Sequence, residues 1–371
     1  VAGPVDGWRE RARRFVATSV EPIADAIDRD DAMPASLRAA VADAGFLGVG
    51  LPPARGGGGG TTQDVAAVLE EFATSSAAVA TLISVHLSVV AAPIAEHGTA
   101  AQHDRYLRPL AEGRALGAFA LTEPGSGSDA GALTTRYAPD GDGFRLDGAK
   151  MFITNAGVAD TILLFATRDP ALGHRGISAF LVPRTAPGYS VARQLEKLGL
   201  RGSETTEITL DHVHLGPDAR LGPEGAGLGI ALGALAGGRV GIAACALGVA
   251  RGAYEEMVRN ARAEPTDWKR RCVAQSFTEL AAAGALVASA AAAKDAGAPF
   301  VEAGSAAKLF ASTVAVRIAQ RGFEVGGRPA ADAGSRAGRL LRDARVFPIV
   351  EGTTEIQELI LGRSLVGPPM G

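Results

Sequence analysis

Apolar residues recur at one spacing, then another, then the first again along this chain of 371 residues, and each change limits what the stretch between can become. From Val5 to about Gly113 they return every three or four positions, as in Trp8, Ala12, Phe15 and Val16 and later Val65, Val68, Leu69 and Phe72. That is the helical period. Pro34 and the loop from Pro52 to Gly60 punctuate it, and Glu70 and Glu71 are expected to face solvent. The run Gly56 to Gly60 is followed by no Gly-Lys-Ser/Thr, so it is read as a flexible surface loop and not as a phosphate-binding one.

Past Ala118 the segments Phe144 to Gly148, Thr161 to Thr167, Gly176 to Pro183 and Glu207 to Leu215 are short, β-rich and bounded by Gly, Pro and Asp, which predicts an antiparallel sheet or barrel. Ile208 and Leu210 alternate in one phase, Val213 and Leu215 in the other, so a bulge is expected near Asp211. After Gly222 long helices resume, over about 227–264, 271–296 and 301–325, with a last one opening near Thr353. Short links between four helices imply a bundle. One core stops growing at roughly 250 to 300 residues. The reading is therefore α+β in three parts: an N-terminal helical domain (1–115), a central antiparallel β-barrel or sandwich domain (116–222) and a C-terminal four-helix bundle (223–371).

The charge balance removes several function classes. A net charge of -3 from 37 basic and 40 acidic residues, without long runs, leaves no surface for nucleic acid or an anionic membrane. Cys245 and Cys272, both in alanine-rich apolar segments, cannot make a disulfide scaffold and suggest a reducing, cytoplasmic location. Six histidines show no HExxH or Cys/His grouping, so no metal is expected, and His212 and His214 read as surface residues of one strand. The start, Val1-Ala2-Gly3-Pro4, lacks the charged and apolar pattern of a signal segment. The most apolar stretch, Gly284 to Ala293, falls short of the ~20 residues that span a bilayer. Gly225 to Gly229 follows a loop, has the wrong glycine spacing and belongs to no βαβ unit, which excludes a dinucleotide fingerprint.

Five segments carry chemistry. In Leu121–Asp129 (LTEPGSGSD) Thr122, Ser126 and Ser128 supply hydroxyls, while Gly125 and Gly127 let backbone N–H groups approach a pyrophosphate. Alone, it is any polar turn. Gly148–Asn155 (GAKMFITN) ends a strand with an aromatic, Phe152, able to back a planar ring, and a threonine, Thr154, able to donate to it; alone, it is an ordinary sandwich strand. Lys197–Ser203 (KLGLRGS) is a second polar turn, Arg342–Arg345 (RDAR) a charged one, and Glu351–Gln357 (EGTTEIQ) places a carboxylate where a helix begins. Such an acid also simply favours the helix dipole.

In this order and spacing the five segments resemble the acyl-CoA dehydrogenase family of flavoenzymes, over nearly the whole chain. The resemblance implies a helical, β, helical fold assembled as a homodimer or homotetramer, with FAD between the β domain and the C-terminal helices. Leu121, Thr122, Ser128, Phe152 and Thr154 match positions that contact FAD, Thr353 and Glu355 positions near its adenosine half, and Ser203 and Arg239 positions on the substrate side. It implies oxidation of an acyl thioester, carried on coenzyme A or an acyl carrier protein. The proton beside the carbonyl goes to Glu351, a hydride goes to the flavin, and electrons leave to an electron-transfer flavoprotein. Some relatives place the base directly before the arginine matched by Arg239; here that residue is Gly238, which leaves Glu351.

Two departures stand out. The family's Arg-x-x-Phe-Gly element is replaced by Arg262 to Trp268 without the Phe-Gly pair, and Phe323 stands where a Gln usually precedes Gly326-Gly327, with Gln320 three residues earlier. Contacts to a neighbouring subunit's FAD are put in doubt. Such drift is compatible with carrier-protein-linked oxidation of a small oxygenated acyl unit in polyketide extender biosynthesis. A flavin oxidase or monooxygenase, and a non-catalytic relative, are the other readings.

Overall fold

The computed structural model describes residues 7–332 and 334–367; Val1 to Pro4 and the start of the helical reading at Val5 lie outside them. The chain opens with α1 (Trp8–Phe15), α2 (Ala24–Asp30), α3 (Ala35–Asp43) and α4 (Thr62–Ala73). It goes on with α5 (Ala77–Ser84) and α6 (Ala92–His97), joined without a break by a π-helical stretch Val85–Ala91, and with the short α7 (Ala100–Gln102) and α8 (Arg108–Ala111). Thr61 opens α4 with a capping box, its side chain accepting from Asp64 N while the Asp64 carboxylate accepts from Thr61 N. The helical period buries Phe46 and Phe72 with Phe15 between them, ring centroids 5.0 to 5.7 Å apart.

Two expectations for this part fail. Glu71 is buried, not solvent-facing: Arg9 and Arg251 reach its carboxylate at 2.9 and 2.8 Å, and both arginines also reach Glu70. The glycine run is no flexible loop either. The N–H groups of Gly57, Gly58, Gly59 and Gly60 donate to Pro52, Gly48, Leu51 and Val49 carbonyls at 2.7 to 3.1 Å. A Cβ at Gly58 would strike the Trp8 ring, so glycine is there for close packing.

The sheet comprises β1 (Gly117–Ala120), β2 (Arg136–Asp140), β3 (Gly143–Thr154), β4 (Thr161–Thr167), β5 (Ile177–Pro183), β6 (Tyr189–Gln194), β7 (Thr205–Leu215) and β8 (Arg220–Leu221), in the order β6-β7-β3-β2-β4-β5-β8 with β1 on β4. It is mixed, which corrects the antiparallel expectation: β1 runs parallel to β4, and β2 touches β4 in parallel. A parallel pair needs a crossover, here everything from Leu121 to Asp160, and a four-residue strand is too short to announce itself by alternation. The bulge falls as expected. Register slips between Leu146 and Gly148 opposite Val213 and Leu210, and Asp147 Oδ1 accepts from His212 N at 2.8 Å.

β4 shows why the sheet and the helices form one body. Ile162, Leu164 and Ala166 point into the sheet's own core with Phe180 and Tyr137, while Leu163 and Phe165 point into the helical core. Burial on both faces makes the strand a continuous apolar run. The fully buried His86 adds a polar stitch: Nδ1 accepts from Gly117 N at 3.1 Å, which puts the proton on Nε2 to donate to Leu47 and Leu110 carbonyls. Burial pushes its pKa down to about 4, so it stays neutral.

The C-terminal part holds α9 (Gly227–Ala263), α10 (Asp267–Asp295), α11 (Val301–Gly326), α12 (Arg336–Ala344) and α13 (Thr354–Val366). The expected bundle is present with one helix more: nine-residue α12 carries three arginines among its residues and gives little apolar signal. Three helices, Ala77–His97, Gly227–Ala263 and Asp267–Asp295, are long and apolar enough to cross a membrane, which corrects the expectation of a short apolar stretch. For the first two, 83% of the most apolar window is buried inside the fold; for α10 the share is 28%. Both cysteines are free and buried, as expected.

Candidate active site

The loop Leu121–Asp129 hangs from the sheet by a buried ion pair. Lys150, on the inward face of β3, donates to Glu123 Oε1 at 2.8 Å and to the Leu121 carbonyl at 3.0 Å. The Glu123 carboxylate also accepts from Thr134 N, Thr134 Oγ1 and Thr135 N at 2.7 to 2.9 Å. Burial alone raises a carboxyl pKa, but Lys150 and these donors outweigh it and hold Glu123 down at about 2. Thr122 is tied to β3 through its carbonyl, which accepts from Met151 N at 2.8 Å.

Within this frame Leu121 is buried, Thr122 and Thr154 are half-buried and Ser128 is exposed. Phe152 follows Met151 on β3 at φ 60° with 60% of its surface exposed. A left-handed backbone at an aromatic residue costs of order 1 to 2 kcal/mol. Its neighbours are packed; it alone presents a bare ring beside the loop, and nothing crowds Gly125 or Gly127. Neither Glu123 nor Lys150 was singled out from the sequence. The signal was a lone lysine in phase with Leu146, obscured because a register shift brings Ile153 to the same buried face from the opposite phase.

The second constellation centres on Glu351, which sits at φ 52° just before Gly352 at φ 94°. Lys308 of α11, fully buried, donates to the Gly352 carbonyl at 2.6 Å, and Gln357 Nε2 donates to the same oxygen at 3.0 Å. Those bonds hold the left-handed turn in place. Both carboxylate oxygens of Glu351 are buried without a hydrogen-bond partner among the described residues. Burial pushes its pKa up to about 7, opposed by the charges of Lys308 and Arg239. Arg239 is itself buried on α9, with Nη1 3.4 Å from Ser305 Oγ and its Nε unpartnered. The carboxylate lies against Gly238, where any Cβ would overlap Oε2. Lys308 was also missed, although it stands in a stripe of buried small residues, Gly304, Ser305, Ala311 and Ser312.

The remaining motifs lie elsewhere in the fold. Lys197–Ser203 packs on α12: Leu200 N donates to Asp343 Oδ1 at 2.7 Å, and Arg342 spans Asp28 with both Nη atoms at 2.8 and 2.5 Å. Ser203 is buried and its Oγ has no partner among the described residues. Thr353 caps α13 through Ile356 N, and Glu355 lies exposed in its first turn.

One helix relates the two constellations. Asn155, next to Thr154, donates from Nδ2 to the Leu82 carbonyl at 3.4 Å. Val89, two turns on, lies against Gly238 beside Glu351. Seven residues of helix put roughly 10 Å between those points. The arrangement offers a flat group the bare ring of Phe152 and the Thr122 loop, with an unpaired carboxylate lying further along the same helix.

Comparison with known proteins bears on the family and the fold. Residues 6–114, 118–213 and 225–366 match the profiles of the N-terminal, middle and C-terminal acyl-CoA dehydrogenase domains. An acyl-CoA dehydrogenase of Bacillus subtilis is 39% identical over 368 residues, covering 97% of each chain. The butyryl-CoA dehydrogenase of Megasphaera elsdenii superposes with a TM-score of 0.95 at 32% identity, covering 98% of this chain and all of that one. A prolyl acyl carrier protein oxidase gives 0.93 at 26%, covering 97% and 98%.

Proposed function

The chain belongs to the acyl-CoA dehydrogenase family, and on that footing we propose that it is an FAD-dependent dehydrogenase of acyl thioesters in which Glu351 takes the α proton. The observation that carries this is the buried, unpartnered Glu351 carboxylate set against Gly238. The bare ring of Phe152 and the open space around Gly125 and Gly127 fit FAD. Leu121, Thr122, Ser128, Phe152 and Thr154 would hold it, with Thr353 and Glu355 toward the adenosine half. When bound, FAD supplies the acceptor for the hydride that leaves the β carbon.

Everything else falls to the protein. A general base works best with a pKa near the working pH, and burial gives Glu351 one of about 7. Arg239 and Lys308 keep its anion tolerable in a dry site. Lys308 and Gln357 keep the Glu351–Gly352 turn fixed, so the carboxylate does not need to reorganise. The Glu351 backbone N–H is available to the thioester carbonyl as charge develops there. Ser203 is assigned to the carrier side. The carrier is coenzyme A or an acyl carrier protein, since both end in the same phosphopantetheine arm. An electron-transfer flavoprotein is the assigned acceptor and a homodimer or homotetramer the assigned assembly.

Anaerobic mixing with a panel of short acyl-CoA thioesters, and with the same acyl groups on an acyl carrier protein, tests the proposal: flavin absorbance should bleach with one of the two carriers. Bleaching by neither removes it. Fast re-oxidation by air with peroxide release would instead favour the oxidase.

Two further outcomes are expected. Because burial raises the Glu351 pKa, the base is protonated and idle below about pH 7. kcat/KM for flavin reduction should therefore rise with pH through about 7 to a plateau; a flat profile from acid to alkaline pH would contradict the assignment. In Gly238→Ala the new methyl group overlaps Oε2 and must push the carboxylate aside. Displacement on the order of 1 Å costs about 100-fold in rate. Stopped-flow reduction should show that loss with an unchanged flavin spectrum, and a parent-like rate would mean the carboxylate has slack.

A further inference from the structure

A second charged side chain reaches a cavity whose wall includes Gly237, the residue before Gly238. Lys294, in the last turn of α10, sends its Nζ into a cavity of about 70 Å3 between α9 and the Ala77–His97 helix. The Nζ lies 2.9 Å from where a Cβ on Gly237 would sit. The walls are largely apolar, with Leu51, Val65, Leu87 and Val240, but Thr62 and Ser88 add hydroxyls. One turn before Ser88, Ser84 Oγ is buried without a partner among the described residues.

No acid closes on this ammonium. Among the described residues Lys294 makes no hydrogen bond or ion pair; its nearest polarised neighbour is the Phe300 ring, centroid 5.6 Å from Nζ. The adjacent Asp295 is spent on the start of α4, accepting from Thr62 N and Gln63 N at 2.6 and 3.1 Å. Burial lowers the Lys294 pKa, with Asp295 and Glu96 opposing it from a distance. Lys294 is half-buried, and an unpaired ammonium facing a largely apolar cavity gains when a ligand brings the opposite charge.

The cavity is continuous in sequence with the catalytic wall. Gly237 meets Lys294 and Gly238 meets Glu351, while Ser88 lines the cavity and Val89 lies against Gly238. Adjacent Cα atoms are 3.8 Å apart, so the ammonium and the carboxylate stand within roughly 12 Å of each other. Resting on the dehydrogenase reading above, we propose that the acyl group of the substrate is short and ends in a carboxylate, which Lys294 binds with help from Ser88. A long apolar acyl chain is disfavoured twice: pockets for larger ligands run to about 300 Å3 or more, and such a chain would leave the charge unpaired.

The test compares succinyl- and glutaryl-CoA with butyryl- and valeryl-CoA, and the same pairs on pantetheine, in anaerobic flavin reduction by the holoenzyme. Titration with non-reacting coenzyme A thioethers ending in carboxylate or methyl adds a binding readout. The parent should favour the carboxylate member, and Lys294→Met should lose roughly 30-fold or more on it while butyryl-CoA is held or improved. Lys294→Arg should keep part of the preference. A parent that prefers the uncharged thioesters, or a Lys294→Met that loses equally on both, overturns the proposal while leaving the dehydrogenase reading intact. Reduction by no thioester, with no preference among the thioethers, overturns both.

Discussion

Glu351→Gln is expected to slow substrate-driven flavin reduction by about 100- to 10,000-fold, the range a positioned general base contributes, with FAD still bound. The substitution keeps the side chain's size and removes only its capacity to take a proton. Among the described residues the charged groups acting on Glu351 are Lys308 and Arg239, neither a carboxylate. Gly238, the alternative position on α9, has no side chain, and the nearby buried groups are the cations Arg239 and Lys308. The amide also relieves the cost of a buried charge without a hydrogen-bond partner, so the variant should unfold no more easily than the parent. Loss of rate together with retained stability separates catalysis from a structural role. Stopped-flow reduction and urea unfolding on one preparation decide it. Reduction at the parent rate would remove Glu351 as the base.

The pairing of a slow variant with an intact fold also bears on Lys308. Its ammonium donates to Gly352 rather than to the carboxylate, so it acts on position and on field at once. Arg239 supplies field alone, since its one hydrogen bond runs to Ser305. The left-handed turn at Glu351 stores strain that those bonds repay, which is the usual economy of a site where geometry matters more than local comfort.

Long elements with a clean period were legible from the residues alone. The three long C-terminal helices start and stop within about four residues of expectation, because Pro265 and Pro299 end what the period begins. Thr161–Thr167 is reproduced to the residue because burial on both faces leaves an unbroken apolar run. Elements whose identity depends on partners were not legible. β1 is four residues of Gly, Ala and Phe whose parallel pairing is decided by β4, and α12 is held by arginines reaching Asp25 and Asp28 some 314 positions away. The same division runs through the site. Glu351, Phe152 and the Leu121–Asp129 loop stood out as residue types in motifs, whereas Lys150, Lys308 and Lys294 look like surface lysines until the fold encloses them. A charged residue in an apolar phase was the available sign, and it is ambiguous wherever a bulge resets the phase.

That enclosure gives the last expected result. Lys150→Met leaves the Glu123 carboxylate buried with its three Thr134 and Thr135 donors but without its countercharge. Breaking a buried pair from one side costs about 3 to 5 kcal/mol, a large share of the 5 to 15 kcal/mol that holds a domain folded. The Leu121 carbonyl loses its donor in the same step, so the loop should loosen and FAD should dissociate more readily. Adding Glu123→Gln removes the stranded charge, keeps one oxygen for Thr134 or Thr135 and should recover part of the stability. Coupling between the two substitutions, measured by urea unfolding of the apo protein, should be favourable to the double variant, while FAD titration should stay weak in both because the Leu121 anchor is gone in each. Equal unfolding midpoints for parent and Lys150→Met would show that the hydroxyl and backbone donors alone suffice to hold Glu123. Unchanged FAD affinity in Lys150→Met would show that the loop is shaped by its glycines and Pro124 and not by the ion pair beneath it.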